Sequence, residues 1–152
     1  MTRPLSLLIA LLAIGIASAQ APAPAPTTAN TASAAGAPAN AEVYIISPRN
    51  GATLHGAFTV RFGLKGAGIA PAGVKFDNTG HHHLLIDTPL SGLSLDAPLP
   101  TTDKVLHFGK GQTETTLTLP PGRHTLQLLF ADYAHVPLHP LVASRVVTIT
   151  VQ

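Results

Sequence analysis

The chain has 152 residues and a formal net charge of +2, with few charged (11%) and few aromatic (5%) residues and no cysteine. The absence of a basic run argues against nucleic-acid binding, and the absence of cysteine excludes disulfide bonds and thiolate metal sites. Histidine is abundant by contrast, with 8 His against 7 Asp and Glu. Imidazole is therefore the side chain most available for chemistry in this protein.

The N-terminal residues have the pattern of an export signal. Arg3 supplies the positive start, residues 5–16 form an apolar core, and residues 17–19 form a small-residue cleavage site. The apolar core is shorter than the roughly 20 residues that a membrane-spanning helix needs. The sequence therefore predicts a signal peptide over 1–19, a mature chain without a membrane span, and a periplasmic or secreted location.

Residues 20–41 consist almost entirely of Ala, Pro, Thr, Asn and Ser, with repeated Ala-Pro pairs. This composition favours extended conformations that bury nothing, which predicts a disordered Ala/Pro-rich linker. The remaining residues, 42–152, have the length of one domain. Removal of Arg3 from the 9 Lys and Arg leaves a formal charge of +1 against the 7 Asp and Glu, so the mature chain is close to neutral.

The domain has no helical periodicity, and short alternating runs separated by Pro and Gly recur along it. The clearest run is 58–65, where apolar Phe58, Val60 and Phe62 alternate with polar residues. Seven principal strands are predicted, over residues 43–47, 58–65, 81–87, 105–108, 113–119, 124–130 and 145–151. We interpret 105–108 and 113–119 as a hairpin around 109–112, and 74–76 as a short edge strand. The predicted fold is an all-β, immunoglobulin-like, seven-stranded antiparallel β-sandwich.

In such a sandwich the third and sixth strands are antiparallel neighbours, and alternate connections lie at the same end. The triplet at 81–83 opens the third strand at the end where the fourth strand closes with His107. The loop after the sixth strand, 131–143, carries His135 and His139 at that end. We therefore expect most of the histidines to meet there.

Strand alternation divides the histidine triplet between the two faces of its sheet. His82 shares a face with Leu84 and Ile86, which predicts a partly buried structural histidine, whereas His81 and His83 point the other way. His124 is predicted to hydrogen-bond the backbone of the Pro-Pro-Gly corner that precedes it. His55 is predicted to lie in an exposed turn.

These placements predict a metal site. The predicted metal ligands are His81, His83, His107 and His135, and neutral imidazoles without thiolates suit Cu(II) or Zn(II). Asp132 or Asp77 could accept a hydrogen bond from a ligand ring and fix its tautomer, and the participation of His82, His139 and Asp132 stays open. The sequence has no nucleophile motif and no phosphate-binding glycine loop, so it gives no support for an enzyme and no catalytic residue is predicted.

Four sequence blocks resemble the domain of unknown function 4399 family of exported bacterial proteins. They are residues 78–87 (NTGHHHLLID), 106–114 (LHFGKGQTE), 119–128 (LPPGRHTLQL) and 135–137 (HVP). In the family pattern a histidine follows the proline that matches Pro137, whereas here Leu138 follows it and His139 comes one residue later. The resemblance covers 43–151 and implies no specific function.

Three hypotheses follow for the function. The first is an exported domain that binds copper or zinc. The alternative is a non-catalytic cell-envelope interaction or structural module with a protein partner, in which the histidines are structural. The third is a metal-dependent oxidoreductase built on a sandwich, which would need an open coordination position.

Overall fold

The computed structural model describes residues 36–152, and these fold into two β-sheets. The predicted signal peptide, 1–19, and most of the predicted linker lie outside the described residues. Within 36–152 the only helix is a single 3-10 turn at Leu90–Gly92, and no helix there is long and apolar enough to cross a membrane. The predicted all-β sandwich is confirmed.

Nine strands occur within the described residues, rather than the seven expected. They are β1 (Glu42–Ser47), β2 (Ala52–Leu54), β3 (Phe58–Lys65), β4 (Gly68–Ile69), β5 (Thr79–Ile86), β6 (Val105–His107), β7 (Glu114–Leu117), β8 (Gly122–Ala131) and β9 (Val147–Val151). The two additional strands, β2 and β4, are short and pair parallel to β9 and β5. Two- and three-residue pairings leave no alternation that a sequence could reveal.

One sheet has the strand order β1-β3-β7, and the other has the order β2-β9-β8-β5-β4, with β6 also paired to β5. Strands β5 and β8 are antiparallel neighbours, with His81 opposite Ala131 and Ile86 opposite Leu126. This pairing is the one predicted between the third and sixth principal strands. It places the start of β5 beside the end of β8 and the loop that follows.

The predicted hairpin of 105–108 with 113–119 is wrong. Strand β6 pairs with β5, whereas β7 pairs with β3 in the other sheet, so the connection between them crosses the sandwich. Hydrogen bonds mark the crossing: Phe108 N–H donates to the carbonyl of His82, and Phe62 N–H donates to the carbonyl of Thr113. Alternation defines a strand but not its partner, so a short glycine-rich connection was consistent with either arrangement.

The predicted edge strand at 74–76 is also absent. Val74 and Phe76 are 50% and 72% exposed, and the segment contains no strand residue. The extra pairing on this side comes from β4, which lies inside the predicted 66–73 loop and pairs with the start of β5. The start of β5 is therefore paired with residues that the sequence assigned to a loop.

Apolar side chains pack on both faces of the sheet that contains β5. The inner face of β5 joins the core between the two sheets, where Leu84 and Ile86 pack with Val60 of β3. The sheet has a second apolar cluster on the outer face, in which Leu129 and Ala131 of β8 pack against Leu99. The other members of this outer cluster are Leu90, Leu93, Leu95 and Ala143. The Pro-rich connection over 88–102 therefore folds across part of the outer face of the sheet and buries the end of β8 there.

Ordered packing begins upstream of the predicted domain boundary at Glu42. Gly36 forms a bridge with His139, and Ala37 N–H donates to the His139 carbonyl at 2.7 Å. Ala37 and Ala41 also pack against the main core. The last residues of the predicted linker thus contact the sandwich, while residues 20–35 lie outside the described part of the chain.

The substitution Leu99→Ala tests whether the outer cluster is a true second core. Leu99 is 6% exposed, so its truncation should lower the free energy of unfolding by about 2 kcal/mol or more. The control Leu141→Ala removes the same atoms from a side chain that is 37% exposed and should cost less than about 1 kcal/mol. Urea denaturation measures both values, and equal costs would contradict the second core.

Candidate metal centre

Strand pairing brings the first three predicted ligands together on the outer face of the larger sheet. His81 and His83 are two residues apart on β5 and therefore share a face. The antiparallel register of β5 with β6 places His107 directly opposite His83. The ring of His107 lies 5.1 Å from that of His83 and 4.9 Å from that of His81, measured between centroids.

The fourth predicted ligand, His135, comes from a tight turn that follows β8. The Asp132 carboxylate accepts hydrogen bonds from the backbone N–H groups of Ala134 and Val136, each at 2.9 Å. His135 has φ 68°, a left-handed conformation that few non-glycine residues adopt. This turn places the His135 ring 4.6 Å from the ring of His107 and 5.1 Å from that of His81.

The predicted role of Asp132 as an acceptor for a ligand ring differs from what the structure shows. Its carboxylate is buried and binds backbone N–H groups, so it shapes the turn that carries His135. Asp77, the other carboxylate considered, is exposed.

Three of the four predicted residues form a compact group. His81, His107 and His135 each offer one ring nitrogen, and these nitrogens lie within 4.8 Å of one another. His83 joins the group through His81, because the Nε2 atoms of the two rings are 3.2 Å apart. His83 and His135 form the widest pair of rings, with centroids 6.1 Å apart.

The distance between His81 and His83 is compatible with a shared metal ion. Two nitrogens bound at about 2.0–2.1 Å to one tetrahedral ion are about 3.3 Å apart, close to the 3.2 Å between the two Nε2 atoms. The nitrogens of His81, His107 and His135 lie within 4.8 Å of one another, a limit wider than the roughly 3.3 Å expected for two ligands of one ion. Nitrogens separated by that limit would have to come closer for all three rings to bind one tetrahedral ion.

The cluster contains several buried nitrogen atoms without hydrogen-bond partners among the described residues. They are Nδ1 of His81, Nδ1 of His83, Nε2 of His107 and Nε2 of His135. Leaving a buried polar group without a partner costs about 1–3 kcal/mol. Native structures pair most such groups, so four at one place call for a ligand or another specific explanation.

Burial favours the neutral form, which is the form that metals bind, for His81, His83 and His107. Burial, followed by the charges of the neighbouring histidine rings, lowers the pKa of His81 to about 4 and that of His83 to about 3. Burial also lowers the pKa of His107. A neutral imidazole has a free lone pair, so near pH 7 these rings need not release a proton to bind a cation.

Two loops enclose the cluster. The connection over 88–102 is joined to the turn of His135 by a hydrogen bond from Leu99 N–H to the His135 carbonyl, 2.9 Å long. On the other side Ala72 N–H donates to the Gly109 carbonyl, also at 2.9 Å. His81 and His83 are completely buried, whereas His107 and His135 are partly exposed. The leucines at 90, 93, 95 and 99 were the signal in the sequence that could have predicted this cover.

The remaining histidines are separate from the cluster. His82 points into the core, where its ring lies 5.2 Å from that of Phe62, and burial lowers its pKa to about 4. His124 contacts the Pro120 carbonyl through Nε2 at 2.9 Å, the structural role predicted for it. His139 lies 3.2 Å from a carboxylate oxygen of Asp96, and His55 is exposed.

The lowered pKa values predict that the metal-free protein loses stability in acid. Between pH 6.5 and about 4 the unfolded chain binds protons that the buried His81 and His83 do not, so the free energy of unfolding falls as the pH falls. From pH 6.5 to 4.5 the loss should be roughly 2 kcal/mol for each histidine kept fully neutral. Urea denaturation in the presence of a chelator measures this slope.

The variant His83→Asn should reduce the slope because it removes one of the titrating rings. The control His55→Asn, at an exposed position away from the cluster, should retain the wild-type profile. A wild-type stability that stays constant from pH 6.5 to 4.5 would contradict the neutral buried state.

Comparisons with known proteins agree with the resemblance found in the sequence. No curated protein matches the chain. A solved structure described as "Structures of Clostridium thermocellum CbhA fibronectin(III)-like modules" is 11% identical, with a TM-score of 0.35, and the match covers 72% of this chain and 92% of that one. The family described as "Domain of unknown function (DUF4399)" matches residues 60–152, a range that contains the four clustered histidines, and the chain belongs to this family.

Proposed function

We propose that this protein is an exported domain that binds one divalent transition metal ion, Cu(II) or Zn(II). The ligands are His81, His107 and His135, with His83 beside His81 as the fourth nitrogen donor. The observation that carries the proposal is the convergence of one ring nitrogen each from His81, His107 and His135 within 4.8 Å of one another. The same cluster holds buried ring nitrogens that have no hydrogen-bond partner among the described residues.

The energetic argument begins from the cost of the metal-free cluster. Four unpartnered buried nitrogens would together cost several kcal/mol, at about 1–3 kcal/mol each. A bound cation accepts one lone pair from each ring, so it would offset this cost at Nε2 of His107 and Nε2 of His135 if those atoms bind it. His81 and His83 face each other through their Nε2 atoms, and if they bind the ion there, their Nδ1 atoms stay without partners. Their lowered pKa values keep His81 and His83 neutral, so proton competition at neutral pH is weak.

The chemistry of the donors favours Cu(II) or Zn(II). Imidazole nitrogens suit both ions, whereas Cu(I) prefers the sulfur of Cys and Met. The chain contains no Cys, and its single Met is Met1. A β-sheet that fixes two of the ligands on one strand restricts the geometry that the ion can adopt. Because His81 and His83 are completely buried, the arrangement favours binding over turnover.

The alternative function, an envelope interaction module with structural histidines, has its support in His124. Both nitrogens of His124 have oxygen partners, at 2.8 Å from Asp87 and 2.9 Å from Pro120. Each of the four clustered rings has a buried nitrogen without a hydrogen-bond partner in the described part of the chain, and the contact between His81 and His83 joins two nitrogens. A purely structural role therefore accounts for His124 and leaves the cluster unexplained.

Calorimetric titration with Zn(II) and with Cu(II) tests the proposal. The wild-type protein should bind one ion with a Kd tighter than about 10 μM. In the variant His135→Asn affinity should fall by at least about 100-fold, because a ligand is lost while Asn tolerates the left-handed backbone at this position. The control His55→Asn should bind like the wild type. Weaker wild-type binding, or full affinity in His135→Asn, would overturn the proposal.

Thermal unfolding separates the two functions in the same samples. A metal bound to His81, His107 and His135 would connect β5, β6 and the turn after β8. Ligand at 100 times its Kd should then stabilise the fold by about 3 kcal/mol. The structural alternative predicts the same melting temperature with Zn(II) as with a chelator.

Export is the second part of the proposal, and it depends on the sequence pattern of residues 1–19. Expression in a Gram-negative host should yield a periplasmic or secreted protein whose N-terminal residue, determined by mass spectrometry, is Gln20. A cytoplasmic protein that retains Arg3 would refute export without affecting the metal proposal.

A further inference from the structure

Gly109 follows His107 by two residues, and its backbone gives no reason for a glycine. Its φ lies outside the left-handed region that favours glycine, unlike that of Gly111, which is 83°. The reason lies in the space above its Cα atom. A Cβ atom at position 109 would overlap Cε1 and Nε2 of the His107 ring and would lie 2.9 Å from Cβ of Ala72.

Packing against Gly109 therefore fixes the orientation of the His107 ring. Nε2 of His107 is buried and has no hydrogen-bond partner among the described residues, so no hydrogen bond holds that edge. The ring edge instead rests on the bare backbone of Gly109. The methyl group of Ala72 fills the adjacent space, and the hydrogen bond from Ala72 N–H to the Gly109 carbonyl holds this loop in place.

The position of this ring matters for the metal site because His107 stands between the other candidate ligands. Its centroid is 4.6 Å from that of His135, 4.9 Å from that of His81 and 5.1 Å from that of His83. A rotation of the ring away from Gly109 would therefore change its distance to all three. Other described glycines with close neighbours face different groups: Gly63 faces the Tyr44 ring, and Gly80 faces the Ala131 carbonyl.

We propose that Gly109 is a positioning residue for the metal site. The absence of a side chain at this position lets the Cε1–Nε2 edge of His107 lie against the backbone, which sets the orientation of the ring and so the position of the one ring nitrogen that can bind the ion. This inference rests on the proposed metal-binding function. Gly109 does not contact the ion and acts through the ring of His107.

The variant Gly109→Ala tests the inference. The added methyl group displaces the end of the His107 side chain and lies 2.9 Å from the Ala72 Cβ atom, so the loop at Ala72 must shift slightly. The metal-free protein should therefore still fold, with a melting temperature modestly below that of the wild type. Its Zn(II) affinity should fall by about 10–100-fold, the effect typical of residues that orient a metal ligand. The matched control is Gly92→Ala, because a Cβ at Gly92 meets nothing within 4 Å and Gly92 has no left-handed φ.

Two further measurements show whether the effect acts through His107. The double variant Gly109→Ala/His107→Asn should bind Zn(II) no more weakly than His107→Asn, because the displaced ring is already gone. In the metal-free Gly109→Ala protein, the NMR resonance of the His107 Cε1–H group should shift, whereas in Gly92→Ala it should not.

The outcomes separate the two proposals. Two results would overturn the positioning role and leave the metal proposal intact. One is a Zn(II) affinity in Gly109→Ala equal to that of the wild type. The other is that Gly109→Ala lowers the affinity of the His107→Asn protein by as much as it lowers that of the wild type. Failure of the wild-type protein to bind either ion would overturn the proposed function and the role of Gly109 with it.

Discussion

The structure depends on strand β5 being paired along both edges and covered on both faces. One edge pairs with β8, and the other pairs with β4 and β6. The core between the sheets covers the inner face, and the leucines of the 88–102 connection extend the cover of the outer face of its sheet. A strand in this position has no access to water, so every polar side chain on it must find a partner inside the protein.

The three histidines of β5 conflict with that constraint in the metal-free protein. Apolar side chains of similar size would fill the same volume without leaving buried nitrogens unpaired. Residue types that do not suit their surroundings tend to occur at functional sites, where they serve the function of the protein rather than its stability. On the outer face the conflict extends to His107 and His135, which come from two other segments. It is the convergence of independent segments on one point, rather than the triplet itself, that argues for a ligand.

The sequence could predict the features that depend on local periodicity. Alternation along 58–65 defined β3, and alternation within 81–83 separated the inward-facing His82 from His81 and His83. General sandwich topology was sufficient to bring β5 and β8 together. These features need only the strand period and a common connection pattern, and both can be derived from a single sequence.

The features that the sequence could not predict depend on non-local partners and on rare backbone conformations. The segments over 105–108 and 113–119 are too short to show which strand each one joins, so the hairpin interpretation failed. The left-handed φ of His135 arises from the hydrogen bonds that the Asp132 carboxylate makes within the turn, and no pattern of residue types indicates it. The role of Gly109 likewise depends on a ring position that exists only after β6 has paired with β5.

The two ends of β5 show that environment, rather than residue type, decides what a histidine does in this protein. Asp87 directly follows β5, and its carboxylate faces Nδ1 of His124 while the Pro120 carbonyl faces Nε2. Both partners accept hydrogen bonds, so they suit the protonated ring, and the hydrogen bond to Asp87 raises the pKa of His124. The stability contributed by this pair is fully present below the unfolded value of 6.5 and is lost as the pH rises through the raised pKa.

At the other end of β5, burial lowers the pKa of His81 and His83, and their contribution to stability changes with pH in the opposite direction. A histidine that is satisfied by oxygen acceptors is structural, whereas a group of neutral rings with unpaired nitrogens has the electronic state that a cation requires.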